Sequence, residues 1–72
     1  MSEFFRKGSR VKWNWGQDIC RGRIAERFDG RVEWLVDGTP ISRNGSRRDP
    51  AFLILSDRGG EVLKLASELS IA

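Results

Sequence analysis

The segment that most constrains the fold is residues 5–13, which read Phe-x-x-Gly-x-x-Val-x-Trp. Gly8 permits a tight turn that other residues enter only with strain. From residue 10 to residue 15 polar and apolar side chains then alternate, which is the pattern of a strand with one buried face. The segment therefore predicts an apolar anchor, a turn and a half-buried strand, an arrangement typical of small antiparallel barrels.

Composition narrows the class of protein. The 72 residues are 39% hydrophobic and 32% charged, which indicates a globular chain rather than a disordered one, and we predict that residues 1–72 form one domain. The lone Cys20 and the lack of histidine leave no internal disulfide, no Cys/His metal site and no His-based catalytic triad. We therefore expect a protein that is not an enzyme and has no metal or other cofactor.

Two further expectations concern location. No apolar run of the sequence is long enough for a signal peptide or a membrane span, so we expect no membrane association. Cys20 lies between apolar-leaning residues of a predicted strand, which favours a buried, reduced thiol over a reactive one. Together these features predict a cytoplasmic protein.

Alternation and turn signals predict the remaining strands. Asp29-Gly30, Asp37-Gly38 and residues 57–60 are hairpin turn signals, and Gly22 indicates a bulge or sharp bend within a strand. A short helical turn is expected at residues 67–69. The predicted strands that follow the first one are 19–28, 31–36, 51–55 and 61–65, with a further short strand at 41–43. The continuous apolar run of residues 51–55 predicts a strand that is buried on both sides. This pattern predicts an all-β fold, a five-stranded antiparallel meander that closes as an SH3-like barrel with a short C-terminal helical turn.

Several blocks of the sequence are specific in combination. They are Phe5-x-Lys7-Gly8-x-x-Val11-x-Trp13-Asn14-Trp15-Gly16, Gly22-Arg23-Ile24, Glu26-Arg27-Phe28, Arg43-Asn44-Gly45-Ser46, Asp49-Pro50-Ala51-Phe52-Leu53-Ile54, Val62-Leu63-Lys64 and Ser67-Glu68-Leu69. With these blocks the sequence resembles the hypervirulence-associated protein Tudor domain family over nearly its whole length, and the resemblance implies a Tudor-like, SH3-like barrel without an established activity. One difference is that the family tends to be acidic just before Asp49-Pro50, where this chain has Arg47 and Arg48.

Arginine dominates the positive charge of the chain. The net charge is +3, and ten of the thirteen basic residues are arginine, whose planar fork pairs with phosphate. Arg21, Arg23 and Arg27 alternate along one predicted strand and should share one face. If Arg10 and Lys12 of the first strand adjoin them, the result is a basic stripe for nucleic acid, with Trp15 as a stacking platform for a base. The alternative is an ordinary soluble surface of mixed charge.

A second basic group lies in the turn-rich region at residues 39–49. Arg43, Arg47 and Arg48 flank Asn44-Gly45-Ser46, so guanidinium groups, a hydroxyl and backbone N–H groups are all available to an anion. Such a loop suits a small nucleotide such as NADPH. The alternative is a solvated turn in which Asn44-Gly45 supplies only positive φ.

Protein partners form the other class of ligand. Trp15, Trp34 and Phe28 could bind a peptide or line an aromatic cage around a methylated cation, or a partner strand could add to an open sheet edge. The alternative is that the aromatics form the core, which is the expectation for Trp13, Trp34 and Phe52. We rank a phosphate-bearing ligand first, nucleic acid ahead of nucleotide, and a Tudor-like adaptor second, with the chain a monomer or a weak homodimer.

Overall fold

A computed structural model describes residues 5–72 and places most of them in antiparallel strands. This confirms the predicted all-β class, and a 3-10 turn at Ala66–Glu68 lies close to the C-terminal helical turn predicted at residues 67–69. Nowhere in residues 5–72 is there a helix long and apolar enough to cross a membrane. The strands are β1 (Arg10–Trp15), β2 (Asp18–Phe28), β3 (Arg31–Val36), β4 (Thr39–Asn44), β5 (Ala51–Ser56), β6 (Glu61–Leu65) and β7 (Ser70–Ile71).

The strands form a five-stranded sheet in the order β6-β5-β2-β1-β7 and a separate two-stranded sheet, β3-β4. The architecture is that of a small Tudor-like or SH3-like all-β fold, but the described ladders do not close into a complete barrel. The predicted simple meander is wrong at one point, because β2 pairs with β5 and not with β3.

Backbone geometry explains why the second and third strands do not pair. Asp37 and Gly38 both have positive φ, 51° and 79°, as the tight turn of a two-residue hairpin requires, and they join β3 to β4. Neither Asp29 nor Gly30 has positive φ, so this dipeptide forms a bend. The carbonyl of Gly30 instead accepts a hydrogen bond from Gly45 N–H at 3.2 Å.

The core lies on both faces of β5. Phe52 and Ile54 face a first cluster, whereas Ala51 and Leu53 face a second one beneath the β3-β4 hairpin. Successive residues of a strand point to opposite faces, so a continuous apolar run indicates a strand buried on both sides, as predicted for this segment. The first cluster also contains Val11, Trp13, Ile24 and Leu69, and the second also contains Val32 and Leu63.

A β-bulge divides β2 into two halves. Ile24 pairs with Ile54 and Glu26 with Leu53, which leaves Ala25 as the extra residue. The sequence prediction placed the irregularity at Gly22 and is wrong there. Gly22 is instead a point of close approach, because a Cβ at this position would collide with the Leu55 carbonyl and the Ile54 side chain.

Candidate ligand-binding surfaces

The outer face of the β1-β2 hairpin carries four cations side by side. In the antiparallel register Arg10 lies opposite Arg23, and Lys12 lies opposite Arg21. Directly opposed residues have Cβ atoms about 5 Å apart on the same face of a sheet, so the basic residues of the two strands adjoin, which is the condition on which the basic stripe depended. We call Arg10, Lys12, Arg21 and Arg23 the basic face.

Carboxylates neutralise little of this charge. Arg10 donates to Asp57 at 2.7 Å, but Lys12, Arg21 and Arg23 make no ion pair with any carboxylate of residues 5–72. Like charges directly opposite each other in a sheet are destabilising, so this arrangement costs folding free energy. Its positive potential is available to an anion.

Arg27 does not belong to the basic face. The prediction that Arg21, Arg23 and Arg27 share one face is wrong, because the bulge at Ala25 reverses the alternation. Arg27 pairs with Phe52, whose side chain lies on the face opposite Arg21 and Arg23. Its guanidinium contacts Asp29 at 2.8 Å, so its charge is already partnered.

The loop arginines are placed differently again. Arg43 donates to the carbonyl of Ser42 at 3.0 Å and lies 3.7 Å from the Glu68 carboxylate. Arg47 and Arg48 are exposed and make no ion pair among the described residues. The segment before them forms β4, longer than the short strand predicted at residues 41–43.

Internal hydrogen bonds occupy the groups of this loop that would hold an anion. Gly45 N–H donates to Gly30, Ser46 N–H donates to the Asp49 carbonyl at 3.1 Å, and Ser46 Oγ accepts from Asp49 N–H at 3.0 Å. The Asp49 carboxylate in turn accepts two hydrogen bonds of 2.8 Å from Ser67. The loop therefore presents guanidinium groups without a preformed backbone cradle, and its role in ligand binding stays a prediction.

Trp15 is 66% exposed but lies on the opposite face from the basic face. Its side chain points to the same side of β1 as that of the buried Trp13, and it pairs across the hairpin with Asp18. A base that stacked on Trp15 would therefore not lie on the plane of the basic face. Trp15 and the four cations do not form one continuous surface.

Trp15 instead borders a groove. Two adjoining cavities of about 230 and 280 Å³ share Trp13, Trp15, Val36, Glu61 and Val62 in their linings. We call this feature the Trp15 groove. The Trp34 indole donates to the Glu61 carboxylate at 3.2 Å and so fixes an acid in its wall. The two indoles, two valines and carboxylate that both cavities share suit an apolar stem that ends in a cation, whereas Arg43 and Lys64 in the first lining and Arg58 in the second oppose one at those ends.

The other aromatics have structural positions. Phe52 is fully buried and Trp13 is 5% exposed, which confirms them as core residues. Phe28 and Trp34 are half-buried and pack on each other with ring centroids 6.1 Å apart. Sequence reasoning missed Val36, Glu61 and Val62, because no local pattern indicates that β3 and β6 bring them next to Trp15.

The structure also bears on the cysteine and on metal binding. Cys20 is free and half-buried against the first core cluster, so it is less buried than predicted. Across residues 5–72 no three histidine, cysteine, aspartate or glutamate side chains come together in a way that would hold a metal ion.

Comparison with known proteins gives one match. The family model described as Hypervirulence associated proteins TUDOR domain matches residues 8–69, which run from the turn before β1 to the residue before β7. No curated protein and no solved structure matches the chain.

Proposed function

Because the chain belongs to the hypervirulence-associated protein Tudor domain family, we propose that it is a non-enzymatic binding module whose basic face recognises phosphate-bearing ligands, nucleic acid first. The family supports the coarser statement, that this is a small binding domain. The finer statement, that the ligand is a nucleic acid, rests on the surface of this particular chain.

The observation that carries the proposal is the register of β1 and β2. It sets two cations directly opposite two others, Arg10 against Arg23 and Lys12 against Arg21. One carboxylate, that of Asp57, contacts this group among the described residues. A polyanion would relieve the repulsion between the opposed cations, whereas a neutral ligand would not.

The size of the surface fits backbone contacts rather than base reading. Residues two apart on a strand are about 6.7 Å apart and neighbouring strands about 4.8 Å apart, so the four cations cover a patch about one nanometre across. Such a patch reaches a few phosphates. We expect sequence-independent binding whose affinity falls with salt at a slope of about 0.9 per phosphate contacted in duplex DNA.

The test compares two double variants that remove the same charge. Arg21→Ser/Arg23→Ser empties half of the basic face, and Arg47→Ser/Arg48→Ser removes two exposed loop arginines. Binding of a fluorescein-labelled 20-base-pair duplex is followed by anisotropy at several NaCl concentrations. We expect the first variant to lose at least tenfold in affinity and about two units of salt slope, and the second to change less than about twofold.

Three results would contradict the proposal. Equal losses in the two variants would show that net charge alone attracts the duplex. A larger loss in the loop variant would move the site to Arg43, Arg47 and Arg48. Absence of binding by the unmodified chain at low salt would exclude nucleic acid. We rank a nucleotide such as NADPH behind nucleic acid, because the loop proposed for it has no preformed cradle.

A second candidate function is peptide binding in the Trp15 groove, and the exposed indole of Trp15 beside the fixed carboxylate of Glu61 favours it. Cation–π attraction to an indole supports a lysine side chain or its methylated form. Trp15→Ala should abolish binding of a lysine-containing peptide and leave duplex binding unchanged. Ile71→Ala is the control, since Ile71 is also an exposed apolar residue, at 55%, and lies outside the groove. If peptide binding were unchanged in Trp15→Ala, the groove would be excluded as the peptide site.

We also propose that the protein is cytoplasmic.

A further inference from the structure

The outer edge of β3 has unused hydrogen-bonding groups. The tight turn at Asp37-Gly38 makes Val36 and Thr39 the first hydrogen-bonded pair of the hairpin. Hydrogen-bonded and non-hydrogen-bonded pairs then alternate along the ladder. The N–H and C=O groups of Arg31, Glu33 and Leu35 therefore point away from β4, and within residues 5–72 no other strand pairs with β3.

The two edges of the β3-β4 hairpin differ. On β4 the outward positions include Pro40, which has no N–H, and Ser42, whose carbonyl accepts from Arg43. Both strands of the hairpin contact β6, so the difference between the edges lies in their backbone groups. Proline is one of the usual means by which proteins prevent an edge strand from pairing with another chain. β3 has six residues in regular extended conformation, no proline, and no strand hydrogen-bonded to its outer edge in the described chain.

The side chains on the outer face of β3 add a chemical pattern. In chain order they are a cation, an anion and an exposed apolar residue: Arg31, Glu33 and Leu35. Arg31 also donates to Asn44 at 3.2 Å, which holds its guanidinium on this face. Neither Arg31 nor Glu33 makes an ion pair among the described residues.

We propose that the outer edge of β3 binds an extended segment of a partner protein as an added antiparallel strand whose sequence reads apolar-x-basic-x-acidic. In the antiparallel direction this order sets the apolar residue opposite Leu35, the basic residue opposite Glu33 and the acidic residue opposite Arg31. Main-chain hydrogen bonds supply the affinity and the three opposed side chains supply the specificity. This surface is separate from the basic face and does not depend on nucleic-acid binding.

Charge argues against a second copy of this chain as the occupant. The symmetric antiparallel register that uses all three outward residues sets Glu33 against Glu33 of the other copy. Like charges directly opposite are destabilising. A register shifted to set Arg31 against Glu33 pairs only Arg31, Val32 and Glu33 of each copy within β3.

The experiment uses the full chain, labelled with ¹⁵N, and two blocked peptides of identical composition. The first is Thr-Val-Thr-Lys-Thr-Glu-Thr, which has the complementary order, and the second is Thr-Val-Thr-Glu-Thr-Lys-Thr. Amide NMR spectra are recorded during titration at low salt. We expect shifts confined to residues 31–36 and their neighbours, with about fivefold tighter binding of the first peptide.

Two changes at one position separate the backbone from the side chain. Glu33→Pro removes an outward N–H that the fold does not use, and it should abolish binding of both peptides. The Glu33→Thr variant keeps the N–H, so it should still bind both peptides, but its preference for the first peptide should be smaller. Should Glu33→Pro fail to fold, the first peptide with N-methyl groups on its pairing side supplies the same test, because it cannot donate the ladder hydrogen bonds.

Several results would overturn the proposal. Shifts at Trp15 and Glu61 instead of β3 would place the peptide in the Trp15 groove. Binding that survives both Glu33→Pro and N-methylation would exclude strand addition. Equal affinity for the two peptides would exclude the stated partner chemistry, and absence of shifts would exclude the site. Concentration-dependent shifts of β3 without peptide would make a second copy the occupant.

Discussion

The two halves of β2 contain the same kind of sequence and do different things. Before the bulge, Arg21 and Arg23 point outward and adjoin the cations of β1. After it, Arg27 lies on the opposite face and contacts Asp29. One extra residue, Ala25, therefore divides an arginine series that is continuous in sequence. The arginines before the bulge carry unneutralised charge, and the one after it is already paired.

The comparison shows that a bulge can determine the extent of a binding surface as well as the shape of a sheet. The register with β5 places Phe28 on the same sheet face as Arg23, and at this end of β2 that face packs against the second core cluster, where Phe28 contacts Trp34. An unbroken strand would direct Arg27 toward that cluster and Phe28 away from it. The bulge therefore keeps an arginine out of the core and limits the basic face to the first half of β2.

The exchange Arg27→Phe/Phe28→Arg is the most severe test of this comparison. It places an arginine on the face that packs against Trp34 and the second core cluster, where a charge without a partner is costly and the contacts of the phenylalanine are lost. We therefore expect the free energy of unfolding to fall by about 3–4 kcal/mol, a large part of the stability of a domain this small, in urea titrations followed by tryptophan fluorescence. Deletion of Ala25 is the control, because Ile24 and Glu26 stay opposite Ile54 and Leu53, so Arg27 and Phe28 keep their faces and the variant should remain folded. An unchanged urea midpoint in the exchanged variant would show that the bend at residues 29–30 absorbs the change.

The next test concerns the close packing of β2 against β5 at Gly22. A Cβ at Gly22 would collide with the backbone carbonyl of Leu55, so β2 and β5 would have to separate. We expect Gly22→Ala to lower the free energy of unfolding by about 3 kcal/mol. Gly30→Ala is the matched control, because a Cβ there meets no atom within 4 Å and the backbone φ is not positive. Equal urea midpoints for the two variants would mean that β5 moves aside easily.

Local signals in the sequence predicted a large part of this fold. Alternation identified β1, Asp37-Gly38 identified the β3-β4 turn, and the apolar run at residues 51–55 identified β5, which is buried on both faces from Ala51 to Ile54. The bulge at Ala25 was not predictable in this way, because it arises where β2 pairs with β5, a strand distant in sequence. The same holds for the Trp15 groove, since the contact between Trp34 and Glu61 joins strands that show no shared pattern.

Nucleic-acid binding should distinguish the two halves of β2 more finely. Arg23→Ala removes a cation from the basic face, and Arg27→Ala removes one that is partnered by Asp29 on the other face. We expect the first to lower duplex affinity about fivefold and the salt slope by about one. The second should leave both within error. Anisotropy titrations at several salt concentrations measure both quantities, and equal effects would mean that the faces do not act separately.

The smallest expected effect is a gain in stability. Lys12 lies directly opposite Arg21, so Lys12→Glu replaces repulsion with attraction across the hairpin and should stabilise the fold by about 0.5 kcal/mol at low salt. The same change should weaken duplex binding, since a phosphate would then meet a carboxylate. Lys64→Glu is the control, because Lys64 lies opposite Phe52 and no cation. The gain should shrink as salt approaches about 0.1 M, where screening acts over about 10 Å. A gain in stability together with weaker binding would show that this chain retains an unfavourable contact for the sake of a ligand. If Lys12→Glu does not raise stability at low salt, the repulsion between the opposed cations is too weak to support a role for it in attracting a polyanion.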